Sequence, residues 1–418
     1  MNDMHDHASR KTQILFSLLL ITGIILPGVQ AAGIPGDEVT IFTAEEGAYA
    51  YGIVDSGNIL ISEIYPDSDE PGWVKLYRYN ISRASIVTLP AGNPDGINMD
   101  ICGDTIIWAE ITEKNDFSGP EITLNIYPDR EDMPMEIPDK FKSVSDLKLV
   151  NGNVVITGRD SFMLNSGSGM SDIYIYYPDE KRLIHQEIPG RQGSVSASGD
   201  YIVFQDDRYG QMKNTVHIMN LKNSVSWQIG DEKNGVFSSP DISGEKVVYR
   251  FDEDFGSFLK EEVSQQLLLT EISTNKTKII ASPGARISEP KIDGDNIVWS
   301  DRRYKEHYKI WLYDLNEERE TLVAVTGNEY PGAVEISGST VMWSDFVDGR
   351  STLKIREMSS LKASDSDPLY TETTQQNSEN KGINDQDKYP AERKSGTSLE
   401  LSLVAVISGL VLIAGKRY

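Results

Sequence analysis

The chain contains 418 residues, carries a net charge of −24 and has one cysteine. A surface this acidic repels nucleic acid and anionic lipid, which excludes a nucleic-acid partner. One thiol cannot form an internal disulfide, which excludes a disulfide-stapled fold, and we expect Cys102 to be a small buried residue.

Residues 1–31 have the features of a secretory signal peptide. Arg10 and Lys11 precede an apolar run at Ile14–Leu26, and Val29-Gln30-Ala31 places small residues at the cleavage positions. An uncleaved anchor helix is the alternative, but an apolar run of 13 residues is short for a membrane span. We therefore expect the chain to be exported.

Seven similar β units follow, each with a glycine in the turn between its first two β-prone segments. In the clearest unit this turn is Asp293-Gly294-Asp295, and its glycine supplies the positive φ of a tight hairpin. The glycines recur every 44–50 residues, at Gly57, Gly103, Gly152, Gly199, Gly244, Gly294 and Gly338.

Two side-chain positions repeat with these glycines, although the first and third units depart from both. Five residues later an aromatic residue occurs in five units, at Trp108, Phe204, Tyr249, Trp299 and Trp343. Seven residues later an acidic residue occurs in four units, at Glu110, Asp206, Asp301 and Asp345. We expect the aromatic residues to fill the space between blades.

This repeat predicts an all-β fold, a seven-bladed β-propeller within residues 32–358. The expected blades are 47–90, 95–138, 143–189, 192–230, 235–281, 285–325 and 330–358. The last blade has only three strands, the third near Leu353–Arg356, whereas Glu38–Ala44 is a strand without a blade. We expect this N-terminal strand to close the last blade, because closure removes exposed sheet edges.

The long loops between second and third strands are the most varied parts of the units and predict the binding face. Arginine forks beside acids and aromatic rings suit protein or glycan contacts. The candidate ligand-binding residues are Asp206, Asp207, Arg208, Tyr209, Asp301, Arg302, Arg303 and Tyr304. The alternative is that Asp206, Asp301 and Asp345 only stabilise their loops. Two sequons, at Asn80 and Asn275, are predicted glycosylation sites on the opposite face.

The end of the chain predicts a membrane tether. Residues 359–398 are polar and are expected to form a disordered stalk. Residues 399–418 contain an apolar run before Lys416-Arg417 and are expected to form a C-terminal hydrophobic helix, as a transmembrane or sorting segment. The propeller would then lie on the extracellular face of the cell membrane.

The pattern Asp-Gly-Asp-x-Ile-Val-Trp-x-Asp-x-Arg followed by Ile-Trp-Leu-Tyr-Asp-Leu, in residues 293–315, resembles the TolB-type propeller repeat. A second good match covers residues 198–221, and the resemblance extends over residues 38–358. It is similar in particular to repeats of archaeal cell-surface proteins. The C-terminal tail also resembles archaeal sorting signals, although their Pro-Gly-Phe motif is absent.

We predict a non-enzymatic, surface-anchored propeller that binds a surface protein or glycan and needs no cofactor. No nucleophile elbow, zinc-protease motif or phosphate loop occurs in the sequence. His185, His217 and His307 fall in separate blades, so a metal site would require convergence that spacing cannot show. The alternatives are an enzyme acting on polysaccharide or peptide, as in some related propellers, and a purely structural envelope component.

Overall fold

A computed structural model describes residues 38–361, except 67–73, 113–120, 128–134, 137–140, 160–170, 210–212, 230–234, 254–264, 284–285, 304–306 and 328–331. The predicted signal peptide and C-terminal segment lie outside the described residues, as does nearly all of the predicted stalk. In the described part of the chain, no helix has the length and apolar character needed to cross a membrane.

The fold is all-β, and its seven four-stranded antiparallel sheets are the blades of a propeller. Blade 1 contains β2 (Tyr49–Asp55), β3 (Asn58–Ile64), β4 (Val74–Asn80) and β5 (Ser85–Thr88). Blade 2 contains β6 (Pro94–Cys102), β7 (Thr105–Thr112), β8 (Glu121–Tyr127) and β9 (Met135–Glu136). Blade 3 contains β10 (Ser143–Val150), β11 (Asn153–Arg159), β12 (Asp172–Tyr177) and β13 (Arg182–Gln186). Blade 4 contains β14 (Gln192–Ser198), β15 (Tyr201–Asp206), β16 (Thr215–Asn220) and β17 (Ser226–Ile229).

The remaining three blades complete the ring. Blade 5 contains β18 (Val236–Ser243), β19 (Lys246–Asp252), β20 (Gln265–Glu271) and β21 (Lys276–Ala281). Blade 6 contains β22 (Lys291–Asp293), β23 (Asn296–Asp301), β24 (Lys309–Asp314) and β25 (Arg319–Val325). Blade 7 contains β26 (Val334–Ser337), β27 (Thr340–Val347), β28 (Arg350–Glu357) and β1 (Val39–Thr43). Two short 3-10 helices lie at Pro178–Glu180 and Met358–Ser360.

The predicted repeat positions have the predicted structural roles. All seven turn glycines have positive φ, and nothing lies within 4 Å of where their Cβ atoms would be, so conformation alone requires glycine. The five repeated aromatic residues are at most 1 % exposed. They pack with aliphatic side chains of adjacent blades, as Trp108 does with Ile53 and Leu60 of blade 1.

The predicted ring closure is confirmed. β1 pairs antiparallel with β28, with Val39 opposite Ile355 and Thr43 opposite Thr352. Ile41 is 2 % exposed within the core that blade 7 shares with blade 1. The closing strand thus contributes both backbone hydrogen bonds and buried apolar surface.

The antiparallel order gives the propeller two different ends. The turns that carry the seven repeated glycines, together with the third-to-fourth strand turns, form one end, which we call the turn face. The second-to-third strand connections and the blade-to-blade connections form the other end, the long-loop face. Because β1 enters and β28 leaves at the same end of their ladder, Glu38 and Leu361 both lie on the turn face.

Neighbouring blades are hydrogen-bonded to each other on the turn face. Asp293 Oδ2 accepts a hydrogen bond from the Gly338 amide at 2.6 Å. Ser337 Oγ accepts a hydrogen bond from the Ser56 amide at 3.0 Å. This bond joins blade 7 to blade 1, where the ring closes. The same kind of contact recurs in the pairs Asp55–Gly103, Ser198–Gly244 and Ser243–Gly294.

The prediction that Cys102 is buried is wrong, because this residue is exposed. It is the last residue of β6 and directly precedes the turn glycine of blade 2. The strand ends at the turn face there, so its side chain is not covered by a neighbouring blade.

Candidate functional site

The inner strands of the seven blades form a closed ring around the central channel. The residue three positions before the turn glycine lies on this ring, and it is polar in five units: Asp100, Ser196, Asp241, Lys291 and Glu335. Together with other ionisable groups of the same region, the charged members form what we call the channel cluster: Tyr51, Asp100, Asp146, Lys148, Asp241, Glu289, Lys291 and Glu335.

Two ion pairs of the channel cluster join adjacent blades. Lys291 Nζ lies 2.9 Å from Glu335 Oε1, which links blade 6 to blade 7. Lys148 Nζ lies 3.4 Å from Asp100 Oδ1, which links blade 3 to blade 2. The two lysine side chains are 20 % and 24 % exposed, respectively, so both pairs remain in contact with the channel solvent.

Two carboxylates of the cluster are fully engaged by backbone and side-chain donors. Asp100 Oδ2 accepts a hydrogen bond from the Leu149 amide at 2.7 Å, in addition to its ion pair. Asp241 accepts one from the Ile292 amide at 2.8 Å and one from Ser196 Oγ at 2.5 Å. These two acids therefore hold neighbouring inner strands together.

Other members of the cluster interact across the channel. Lys148 of blade 3 interacts electrostatically with Lys291 of blade 6, Glu335 of blade 7 and Tyr51 of blade 1. None of these blades is a neighbour of blade 3, so the groups face one another across the channel axis. Ionisable groups from at least four blades therefore converge on the central channel.

Burial and charge set the protonation states of the cluster. Burial raises the pKa of Asp146 to about 7, and the Glu289 carboxylate adds to this effect, while Lys148 opposes it. Burial alone would lower the pKa of Lys291, but the carboxylates of Glu335 and Asp241 raise it well above its usual value. Burial and the nearby Glu335 charge raise the pKa of Tyr51 to about 12. At neutral pH Lys291 is therefore charged, whereas Asp146 exchanges its proton.

The raised pKa of Asp146 predicts a pH-dependent cost to folding. The folded pKa of about 7 exceeds the unfolded value of about 4, so the cost is absent below pH 4 and complete above pH 7. We expect Asp146→Asn to match the parent near pH 4 and to be more stable by on the order of 1–3 kcal/mol at pH 8. Urea unfolding at both pH values measures this. The exposed Asp179→Asn is the control, and an equal gain at both pH values would contradict the expectation.

The sequence-predicted residues of blade 4 lie where β15 ends on the long-loop face. Arg208 Nε and Nη2 each donate to the Asp206 carboxylate at 2.8 Å, and Asp206 is 0 % exposed. Burial would raise the pKa of Asp206, but the hydrogen bonds from Arg208 outweigh it and hold the pKa below its usual value. Asp207 Oδ1 accepts the Arg191 amide at 2.7 Å, and Tyr209 is exposed.

Blade 6 repeats this arrangement with a more buried arginine. Arg303 Nη2 donates to Asp301 Oδ2 at 2.6 Å and Nη1 donates to Glu320 Oε1 at 2.6 Å. The guanidinium lies 4.2 Å from the centre of the Trp311 ring, and its side chain is 5 % exposed. Arg302 is exposed, whereas Tyr304 lies outside the described residues. Blade 5 separates the two groups, so the structure does not bring them together.

The repeated acids of blades 2 and 7 also fix blade-to-blade connections. Glu110 Oε1 accepts hydrogen bonds from the Gly92 amide at 2.7 Å and from Trp108 Nε1 at 2.9 Å. Asp345 Oδ1 accepts the Gly327 amide at 2.8 Å. A stabilising contact is thus observed for each repeated acid. A binding role for the candidate loop residues stays a prediction.

Both predicted glycosylation sites lie on the turn face, but their side chains differ in accessibility. Asn80 Nδ2 donates to Asn58 Oδ1 at 3.0 Å, and Asn80 Oδ1 accepts from Ser82 Oγ at 2.9 Å. Asn275 is exposed in the turn between β20 and β21, with a φ of 51°. Glycosylation of either residue stays a prediction, and Asn275 is the more accessible acceptor.

The three histidines of the described blades lie apart from one another. His185 Nε2 is 3.2 Å from Asp172 Oδ2 in blade 3. His217 in blade 4 is buried, and its burial and the charge of Arg208 lower its pKa to about 4. His307 lies before β24 in blade 6. Within the described ranges, no group of three metal-binding side chains comes together.

Comparison with known proteins supports the fold. No known family matches the sequence, and neither does any curated protein. Among solved structures, the chain is similar to the β-propeller domain of the Trilobed protease from Pyrococcus furiosus, with a TM-score of 0.55 and 12 % identity over 77 % of this chain and 98 % of that domain. That domain is described as having an open velcro topology, whereas β1 closes the ring here.

Two acylaminoacyl peptidases are also similar. The enzyme from Pyrococcus horikoshii aligns with a TM-score of 0.55 and 11 % identity over 74 % of this chain and 52 % of its own. A second acylaminoacyl peptidase, in complex with Z-Gly-Gly-Phe-chloromethyl ketone, aligns with a TM-score of 0.53 and 11 % identity over 78 % of this chain and 54 % of its own. The chain thus spans about half the length of these peptidases. At such identities the likeness shows the fold.

The comparisons contradict two predictions. From the sequence we expected a non-enzymatic binding protein and therefore no enzyme. The similar structures are instead propellers of peptidases, so the alternative to be considered is the enzyme acting on polysaccharide or peptide. The prediction failed because catalytic motifs were sought in the propeller sequence, whereas two of these peptidases extend well beyond the part that this chain matches.

Proposed function

We propose that this chain acts in peptide hydrolysis as a peptidase propeller whose central channel receives and orients the peptide. The observation that carries the proposal is the channel cluster. It brings carboxylates and ammonium groups from opposite blades into electrostatic contact around the central channel. Peptides carry complementary charges at their termini and side chains, and such groups are stronger partners in a partly desolvated site than in open solvent.

The long-loop face is the proposed entrance to this channel. The candidate residues Asp207, Tyr209 and Arg302 lie on that face, held in place by the buried pairs of Asp206 with Arg208 and Asp301 with Arg303. An exposed phenol ring and guanidinium at the rim suit contact with a peptide backbone and its side chains. We propose that these exposed groups guide the peptide rather than hold a surface glycan.

The proposed location is outside the cell membrane. The signal-like residues 1–31 and the apolar tail at 399–418 support export and tethering, and the repeat resembles the TolB type of archaeal surface proteins. Because Glu38 and Leu361 both lie on the turn face, a tether attached there leaves the long-loop face open to peptides.

A double substitution in the channel tests the proposal. Lys291→Met with Glu335→Leu removes both members of one ion pair and keeps their approximate volume, so we expect little loss of stability. The full-length protein should bind or cleave members of a mixed peptide library, detected by mass spectrometry. The double variant should do so at least about tenfold less well.

The matched control removes a surface ion pair of the turn face, by Lys222→Met with Asp200→Leu, and should leave peptide handling unchanged. The proposal is wrong if the parent neither binds nor cleaves any peptide. It is also wrong if the channel variant handles the library as well as the parent. Cleavage of oligosaccharides with peptides left intact would favour the polysaccharide alternative instead.

A further inference from the structure

His217 of blade 4 is a buried histidine that is held by packing. Its side chain is 3 % exposed, and neither Nδ1 nor Nε2 has a hydrogen-bond partner within the described residues. The imidazole is stacked on Phe204 of β15, with 5.7 Å between the ring centres and 22° between the ring planes. Such a site favours the neutral imidazole, because a buried charge without a hydrogen-bond partner is costly.

The pairing of β15 with β16 places His217 beside the buried Asp206–Arg208 pair. His217 lies opposite Phe204 and Thr215 lies opposite Asp206, so the side chains of His217 and Asp206 are diagonal neighbours on one face of the sheet. Arg208 donates two hydrogen bonds to the Asp206 carboxylate, each 2.8 Å long. The imidazole therefore lies next to a carboxylate that an arginine already neutralises.

Blade 6 contains the same arrangement with a ring that does not titrate. Trp311 occupies in blade 6 the place of His217 in blade 4, opposite the repeated aromatic residue. The Arg303 guanidinium lies 4.2 Å from the centre of the Trp311 ring. An indole ring attracts a guanidinium over its face, whereas a protonated imidazole repels the equivalent Arg208. The two blades thus differ in how their Asp–Arg pairs respond to acid.

The other groups around His217 are uncharged. Within the described residues, the charges that act on it are those of Arg208 and Asp206. On β17 the neutral amide of Gln228 lies opposite. The side of the sheet on which His217 lies packs against the apolar interior of blade 3, which includes Ile173. A proton on the imidazole therefore acts mainly on the Asp206–Arg208 pair.

Asp206 anchors the loop that follows β15. Besides the guanidinium, its carboxylate accepts the Arg208 amide at 2.9 Å and Gln192 Nε2 at 3.2 Å. Beyond this anchor, Arg191 and Asp207 join the loop to the connection between blades 3 and 4, through an ion pair of 3.7 Å and hydrogen bonds of 2.7 and 3.1 Å. A change at Asp206 thus affects both the loop and this connection.

We propose that His217 is an acid-sensitive switch that opens the loop after β15, which carries the candidate residues Asp207 and Tyr209. While the imidazole is neutral, Arg208 stays on Asp206 and the loop is closed. A protonated imidazole repels Arg208 and attracts Asp206, so it competes with the arginine for the carboxylate. Loss of the pair releases the loop from its anchor.

Burial sets the direction of the pH effect. Desolvation and the charge of Arg208 lower the pKa of folded His217 to about 4, whereas an exposed histidine has a pKa of about 6.5. The closed loop is therefore most stable above pH 6.5 and loses stability as the pH falls toward 4. Between pH 7.5 and pH 5 the ratio of open to closed loops should rise roughly 30-fold.

Hydrogen–deuterium exchange of the full-length protein at pH 7.5 and pH 5, corrected for the intrinsic exchange rate, measures this opening. Peptides covering residues 204–209 should lose protection roughly 30-fold at pH 5. Peptides covering residues 299–303 of blade 6 should keep theirs, because Trp311 does not titrate. His217→Phe retains a ring that stacks on Phe204 but has no titratable nitrogen, and it should abolish the pH dependence in blade 4.

His185→Gln is the matched control, since it removes an exposed histidine stacked on Tyr174 in blade 3 and should leave the response of blade 4 unchanged. The inference is wrong if blade 4 keeps its protection at pH 5, or if His217→Phe loses as much as the parent. Equal loss in blades 4 and 6 of the parent would also contradict it, and this comparison decides even if His217→Phe does not fold. The inference goes beyond the proposed function, because exchange is measured without a peptide.

Discussion

Replacing Arg303 with alanine is expected to destabilise the propeller by about 3–5 kcal/mol. The substitution leaves Asp301, which is 0 % exposed, as a buried carboxylate without its bidentate partner. It also removes the guanidinium from the Trp311 ring and from Glu320. Denaturant unfolding of the parent and the variant, followed by tryptophan fluorescence, measures the loss.

Two further variants test whether the loss of stability depends on how deeply the ion pair is buried. Arg208→Ala breaks the equivalent pair in blade 4, where the arginine side chain is 22 % exposed, so we expect a smaller loss of about 1–3 kcal/mol. Arg319→Ala breaks an exposed pair with Glu317 in blade 6 and should cost less than about 1 kcal/mol. If all three variants were equally stable, the Asp–Arg pairs would not hold the long-loop face.

Removal of β1 is expected to have the second large effect. A chain that begins at Glu45 loses the ladder with β28 and the burial of Ile41 and Ala44, which are 2 % and 1 % exposed. Phe42, whose ring centre lies 5.3 Å from that of Tyr77, is lost as well. We expect a loss of roughly 4 kcal/mol or more, together with self-association through the exposed edge of β28. Thermal unfolding and analytical ultracentrifugation report the two effects.

The control for this deletion begins at Glu38 and retains β1. It should have the unfolding temperature of the propeller in the full-length chain. Adding a synthetic peptide of residues 36–46 to the deleted protein should restore part of the lost stability, because the ladder re-forms between chains. A deleted protein that remained monomeric and fully stable would show that β1 is dispensable for closure.

The fold was predictable because local signals and global closure agree in this chain. Turn glycines such as Gly294 require positive φ wherever they occur, and aromatic residues such as Trp299 mark the blade interior independently of the rest of the chain. The N-terminal strand had no blade of its own and the last blade had only three strands, so pairing β1 with β28 was the simplest arrangement. The turn and blade signals each depend on a single turn or strand, and the closure follows from comparing the number of strands at the two ends of the propeller sequence.

The channel cluster was not predicted because its members belong to different blades. Asp100, Lys291 and Glu335 share one place in the repeat, three residues before the glycine, and this signal was present in the sequence. Asp146 and Glu289 fall at other places, so the repeat alone does not group them. Their proximity arises only when the ring closes, and a pattern along one strand contains no information about the opposite blade.

For the loop residues, the sequence identified the side chains but did not determine their role. The sequence identified Arg208 and Arg303 as prominent side chains beside acids, but the same residue types serve either contact with a partner or support of the loop. Burial decides between these roles, since the side chain of Arg303 is only 5 % exposed. Exposure of a loop side chain depends on how neighbouring strands cover it, which spacing along the chain does not specify.

The closing ladder also determines how the propeller responds to mechanical tension. The start of β1 and the end of β28 lie at the same end of an antiparallel pair, with Val39 opposite Ile355. A force applied between the two chain ends therefore pulls the strands apart sideways and loads their hydrogen bonds one after another, instead of shearing all of them together. The ring is thus expected to open at this seam at low force, in the manner of a zip, while the other six blades remain folded.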